Sequence, residues 1–131
     1  AGKVGPGYCT GVGKAILAFL SEAERETAIA QQSFHKFTDA TLTDADALKA
    51  ELASIRETGV AFDREEHETG IICIAAPILT AKGNVLGALS VTTTTARHSL
   101  VELVDLKPEI ESTAQEIAKT VEVWRFPSQK S

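Results

Sequence analysis

Two apolar segments joined by a short turn constrain the fold of this sequence more than any other feature. Segments 71–79 and 85–94 are rich in β-branched and small side chains, and the residues between them include glycine and asparagine. This pattern predicts two strands of an antiparallel hairpin. Because two strands alone are marginally stable, we expect further short strands, for which residues 60–63 and 1–9 are the candidates.

Helical patterns precede and follow the hairpin. Apolar residues recur every three or four positions, and Ser21 with Glu24 forms a capping-box pattern at the start of one helix. The arrangement indicates an α+β fold in a single domain over residues 1–131. The predicted helices begin near Gly11, at Ser21 and at Thr43, with a short one over 100–106 and a long one from about Pro108 to Trp124.

Composition and charge narrow the functional classes. The chain has 131 residues, 44% of them hydrophobic, and a net charge of -5. No cluster of Lys and Arg that could neutralise a phosphate backbone is present, so we do not expect direct nucleic-acid binding. Neither a signal peptide nor an apolar run of membrane-spanning length is visible, which predicts a cytoplasmic protein with no membrane partner and free thiols at Cys9 and Cys73.

The faces of the two hairpin strands differ in character. Because side chains alternate along a strand, each strand has a bulky apolar face and a face of small or hydroxyl-bearing residues. The bulky faces should pack under the last helix, whereas the small faces leave room for a ligand. The bulky faces carry Ile72, Ile74, Ala76, Ile78, Leu89 and Val91, and the small faces carry Cys73, Ala75, Ala88, Ser90 and Thr92.

The start of the first helix supplies a second candidate element. Glycines at 11 and 13 surround Val12 where backbone N–H groups are unpaired and the helix dipole favours negative charge. We therefore predict a pocket that holds a small carboxylate, with these amides on one wall and Cys73, Ser90 and Thr92 on the other. Asp63 would accept hydrogen bonds from ligand hydroxyls. The predicted ligand-binding residues are Gly11, Val12, Asp63, Cys73, Ser90 and Thr92.

Each element also has a structural interpretation. The glycines suit a simple turn, Ser90 and Thr92 suit an exposed strand, and Cys73 suits a buried apolar position. The phosphate-binding loop and dinucleotide motifs are absent, so we expect no cofactor. We expect no metal either, although Asp63, Glu66, His67 and Cys73 form a group of ligand-type residues whose spacing matches no established pattern.

Three blocks of the sequence resemble the C-terminal effector domain of the IclR family of bacterial transcription regulators. The blocks are Tyr8–Ala18, Gly59–Ile78 and Gly87–Thr92, and the helices between them fall in the expected order. The resemblance covers nearly the whole chain. It implies a GAF-like fold, in which helices flank both faces of a six-stranded antiparallel sheet, and we expect the first strands of that sheet to be missing here.

The resemblance also implies a function. It makes the chain an effector-sensing and oligomerisation domain, homodimeric or tetrameric, that reaches DNA only through an N-terminal winged helix-turn-helix missing here. The effector would be a small organic acid or a sugar-acid catabolite, and the family's pocket positions correspond to the six residues named above. Thr92 replaces the more frequent Ser, and Val12 is larger than usual, so the pocket should be slightly narrower.

Two other functions remain open at this point. Some GAF domains are thiol enzymes that reduce sulfoxides, which would require reactive cysteines close to each other. The domain could also serve only in dimerisation, in which case no cavity should remain beside Gly11.

Overall fold

A three-stranded antiparallel sheet with helices on both faces organises the chain. The structure, a computed structural model, describes residues 7–125, with side chains as far as residue 121. The predicted hairpin and helices are confirmed. The elements are α1 (Gly11–Ala18), α2 (Glu22–Ala30), α3 (Ala45–Thr58), β1 (Ala61–Arg64), β2 (Ile71–Leu79), β3 (Val85–Thr94), α4 (Leu100–Val104) and α5 (Lys107–Arg125).

Local chemistry explains the helix boundaries. Ser21 and Glu24 form the predicted capping box before α2. Asp44, one residue after the predicted Thr43, caps α3 by accepting a hydrogen bond from the Ala47 amide. Gly59 ends α3 at φ 88°, a left-handed conformation that glycine adopts without strain.

The sheet order is β1-β2-β3, with β2 in the centre. The register pairs Asp63 with Cys73 and Cys73 with Thr92, so these three residues form one row across the sheet. In the next row, Ala75 pairs with Ser90. Of the two predicted sources of further strands, residues 60–63 supply β1; residues 7–9 form a turn and residues 1–6 lie outside the described part.

Two apolar clusters lie on opposite faces of the sheet. One joins α1 and α3 to Ala61 and Ala75. The other joins α4 and α5 to the bulky face of β2, as predicted for the last helix. Its buried members are Val60, Ile72, Ile74, Ala76, Leu103, Ile110 and Ala114.

One detail differs from the sequence-based expectation. Val91 was predicted to pack under the last helix but is 40% exposed, because β3 is an edge strand of the described sheet and the helix covers mainly β2. Asp63 lies inside β1, which agrees with the strand expected over residues 60–63. Lys14, for which no partner was predicted, is fully buried. The side chain of Trp124 lies outside the described residues.

Candidate functional site

The six predicted site residues surround one cavity. It has a volume of about 270 Å³ and lies between the first turn of α1 and the small-residue face of the sheet. The row of Asp63, Cys73 and Thr92 forms its floor, and Ser90 extends that floor along β3. Its lining residues are Thr10, Gly11, Val12, Asp63, Cys73, Ser90 and Thr92.

Gly11 allows α1 to approach the sheet closely. A Cβ built on Gly11 would overlap Sγ of Cys73 and would lie 3.4 Å from Cβ of Ala75. The backbone N–H of Gly11 is directed at the Cys73 thiol. Any larger side chain at position 11 would therefore separate the two walls of the cavity.

The amides at the start of α1 are less open than predicted. Thr10 caps the helix, and its Oγ1 accepts a hydrogen bond from the Gly13 amide at 3.1 Å. The Gly11 amide faces a thiol, which is a weak acceptor. Val12 is therefore the residue of this turn whose amide is best placed to meet a ligand.

Asp63 is the ionisable carboxyl of the cavity, and only 6% of its surface is exposed. Its Oδ1 accepts a hydrogen bond from the Glu66 amide at 2.9 Å. Burial raises the pKa of Asp63, although the backbone N–H groups of Glu66 and His67 and the charges of Lys14 and His67 oppose that rise. The environment thus favours the protonated form of Asp63 more than water would.

A buried ion-pair network lies beside the cavity. The ammonium of Lys14 is 2.7 Å from Glu51 and 2.8 Å from Glu66, and Arg64 is 3.1 Å from Glu51. Burial raises the pKa of Glu66, with Lys14 partly offsetting that rise. Burial also acts to raise the pKa of Glu51, but Lys14 and Arg64 outweigh it and leave the pKa of Glu51 below its usual value.

This network was not predicted from the sequence, although one signal was present. Lys14 occupies the same helical stripe as Gly11, Ala15 and Ala18, spaced by three or four residues, and all four are buried. A charged residue on an otherwise small, buried stripe requires a carboxylate partner.

The ligand-type side chains that the sequence offered as a possible metal site do not point at one common position. They belong to Asp63, Glu66, His67 and Cys73. Asp63 and Cys73 are neighbours across the strands, but the Glu66 carboxylate turns to Lys14. His67 packs against Phe37, with 4.8 Å between ring centroids. Among residues 7–125, no group of three or more His, Cys, Asp or Glu side chains could hold a metal ion.

Neither cysteine has the environment of a reactive thiol. Cys9 and Cys73 are buried and form no disulfide. Burial, together with the charge of Asp63, raises the pKa of Cys73, and burial raises the pKa of Cys9 to about 12. The thiolate, which is the nucleophilic form, is therefore disfavoured at both positions.

The fold and the cavity describe an α+β domain with helices on both faces of its sheet, and comparison with known proteins gives its family. The family described as "Bacterial transcriptional regulator IclR C-terminal" matches residues 1–119. The chain belongs to this family of transcription regulators.

Relatives and solved structures agree with that assignment. The HTH-type transcriptional regulator XynR of Escherichia coli strain K12 is 34% identical over 116 residues, covering 88% of this chain and 46% of XynR. A putative transcriptional regulator of Rhodococcus sp. RHA1 has a TM-score of 0.84 and 32% identity, covering 92% of this chain and 51% of that one. This chain thus spans about half the length of such relatives.

A third similar structure contains a ligand. It is a double mutant of the inducer-binding domain of the transcription factor PobR from Acinetobacter, in complex with 3-hydroxybenzoic acid. The TM-score is 0.79 with 31% identity, and the match covers 86% of this chain and 65% of the PobR chain.

No helix in the described part of the present chain is long and apolar enough to cross a membrane.

Proposed function

We propose that this chain is the effector-sensing and oligomerisation domain of an IclR-type regulator, and that it binds a small organic acid or sugar-acid catabolite. The observation that carries the proposal is the cavity that joins the start of α1 to Asp63, Cys73, Ser90 and Thr92. A domain used only in dimerisation would not need a cavity beside Gly11. The chain would act as one domain and not as an enzyme.

The size and chemistry of the cavity favour a small polar metabolite. A volume of about 270 Å³ is below the range of roughly 300–1,000 Å³ that is typical of pockets for drug-sized molecules. The Val12 amide and the hydroxyls of Ser90 and Thr92 offer hydrogen bonds on opposite sides. The inducer-binding domain of PobR, which has a similar fold, is described with a hydroxylated aromatic acid.

The effector would act through conformational linkage. If the acid prefers one arrangement of subunits in a homodimer or tetramer, its binding shifts the population toward that arrangement. The distance between DNA-binding domains outside this chain would then change. A coupling free energy of about 1–3 kcal/mol between effector binding and DNA binding is sufficient for this. The acidic charge of the chain supports the idea that DNA contact belongs elsewhere in the parent protein, which we expect to be cytoplasmic.

Calorimetric titration with hydroxy, keto and sugar acids tests the proposal. We expect at least one acid to bind, and we expect the double substitution Asp63→Ala with Ser90→Ala to abolish that binding without unfolding the chain. The matched control is Asp39→Ala with Ser112→Ala, which removes the same groups from exposed positions away from the cavity. Equal affinity in the two double variants would remove Asp63 and Ser90 from the site. Failure of every acid to bind would overturn the proposed function.

A further inference from the structure

The charges around the cavity are not balanced in the way that an anion-binding site requires. The seven lining residues include one carboxyl, that of Asp63, and no Lys, Arg or His. The ammonium of Lys14, beside the cavity, is held by both Glu51 and Glu66. A carboxylate ligand that enters this cavity therefore meets a carboxyl group without a cation between them.

Asp63 is the carboxyl of the cavity that forms no ion pair with a Lys or Arg of the described residues. Within the described part of the chain, Lys14 and Arg64 form ion pairs with Glu51 and Glu66 only. Asp63 is instead held by the Glu66 amide. The titratable groups that face Asp63 are Lys14 on α1, Cys9 before α1, Cys73 on β2, and Glu66 and His67 on the loop after β1.

We propose that Asp63 binds a proton when an acidic effector enters the cavity, so that effector binding is coupled to proton uptake. This inference rests on the proposed function, because it requires an anionic ligand. Two carboxylates that share a site cannot both stay ionised, and one proton from solvent is then held between them. Protonated Asp63 donates this hydrogen bond to the ligand carboxylate, while its other oxygen still accepts from Glu66.

The buried position of Asp63 favours proton uptake. Burial already raises the pKa of Asp63 in the empty domain, and the negative charge of a ligand would raise the pKa further. The number of protons taken up on binding is a property of the pair of carboxyl groups and does not depend on which oxygen carries the proton.

Titration of the 131-residue chain in buffers of different ionisation enthalpy measures the coupling directly. The probes are 3-hydroxybenzoate, glycolate and gluconate, with neutral 3-hydroxybenzamide as the matched control for the first. We expect uptake of up to one proton per acid bound, and none for the amide. The affinity for the acid should fall by up to about tenfold for each pH unit over which uptake is complete.

The Asp63→Asn variant separates this inference from the proposed function. The substituted amide is neutral, can accept from the Glu66 N–H and can donate to a carboxylate, so D63N should bind the acid with no proton uptake and no pH slope. Ser90→Ala should weaken binding but keep the slope. Binding of acids to the unsubstituted chain without proton uptake would overturn the coupling and leave the sensing role intact. If none of the acids binds at millimolar concentration, both proposals are wrong.

Discussion

The ammonium of Lys14 lies 2.8 Å from Oε2 of Glu66, and this buried contact connects the first turn of α1 to the loop after β1. The backbone N–H of Glu66 in turn donates a hydrogen bond to Oδ1 of Asp63 in the cavity. The helix that forms one wall of the cavity and the carboxyl on the other wall are thus held through the same residue. The ion pair spans 52 residues of sequence, so it depends on the tertiary fold.

Replacing Lys14 by Met should strongly destabilise the chain. The substitution keeps much of the side-chain volume but leaves Glu66 buried without its cation, which costs about 3–5 kcal/mol when one partner of a buried pair is lost. Urea unfolding would measure the loss. Adding Glu66→Gln should recover part of the stability because it removes the unpaired charge, and a double variant no more stable than Lys14→Met would show that the pairing is unimportant.

Gly11→Ala should destabilise the chain by about 1–3 kcal/mol, the usual cost of an overpacked contact. The added Cβ overlaps the Cys73 sulfur, so combining it with Cys73→Ala should be less harmful than the sum of the two single changes. Gly87→Ala is the matched control, because nothing lies within 4 Å of a Cβ at that position. Strict additivity in a thermal-unfolding cycle would contradict the proposed clash.

Asp63→Asn should stabilise the ligand-free chain at neutral pH. The pKa of Asp63 is raised by burial, so the folded state binds more protons than the unfolded state between the two pKa values. The stability contributed by Asp63 is therefore full below the unfolded pKa and is lost as pH rises through the folded pKa. Each unit of elevation corresponds to about 1.4 kcal/mol.

Denaturant unfolding of D63N and the unsubstituted chain at several pH values tests whether D63N is the more stable of the two at neutral pH. The advantage of D63N should be largest at neutral pH, should shrink as pH falls through the folded pKa of Asp63, and should be gone below the unfolded pKa of aspartate. A D63N variant that is less stable at neutral pH would mean that hydrogen bonds to the carboxylate outweigh its burial.

Both cysteines should resist alkylation in the folded chain at pH 8. The pKa of Cys9 is raised by burial to about 12 and the pKa of Cys73 is raised by burial as well, so few thiolates are present. Mass spectrometry after brief exposure to iodoacetamide should find two unmodified thiols, and the same treatment in urea should modify both. Rapid labelling of a folded cysteine would revive the thiol-enzyme alternative.

The sequence was informative where local periodicity decides the structure. Alternation along 71–79 and 85–94 separates Ile72 and Ile74 from Cys73 and Ser90, and the structure puts them on opposite faces of the sheet. A short turn between the strands limits the register, but the register shift between Ile78 and Leu79 was not predicted, and the pairing of Cys73 with Thr92 depends on it. Strand alternation is the reason why Cys73, Ser90 and Thr92 could be predicted to share one face of the sheet.

Features that depend on distant contacts were not predictable in the same way. The partners of Lys14 lie 37 and 52 residues away, and no local pattern relates them. The exposure of Val91 depends on where α5 lies across the sheet, which strand alternation does not specify. The amide of Gly13 was expected to be open, but the side chain of Thr10 accepts its hydrogen bond.

The close approach of Gly11 to Cys73 has a consequence for the evolution of this domain. A Cβ at position 11 and the sulfur at position 73 would occupy the same space. A residue larger than glycine therefore fits at position 11 only if the residue at position 73 is smaller than cysteine. Homologous sequences should therefore covary at these two sites, and engineered libraries that alter ligand preference should randomise them together.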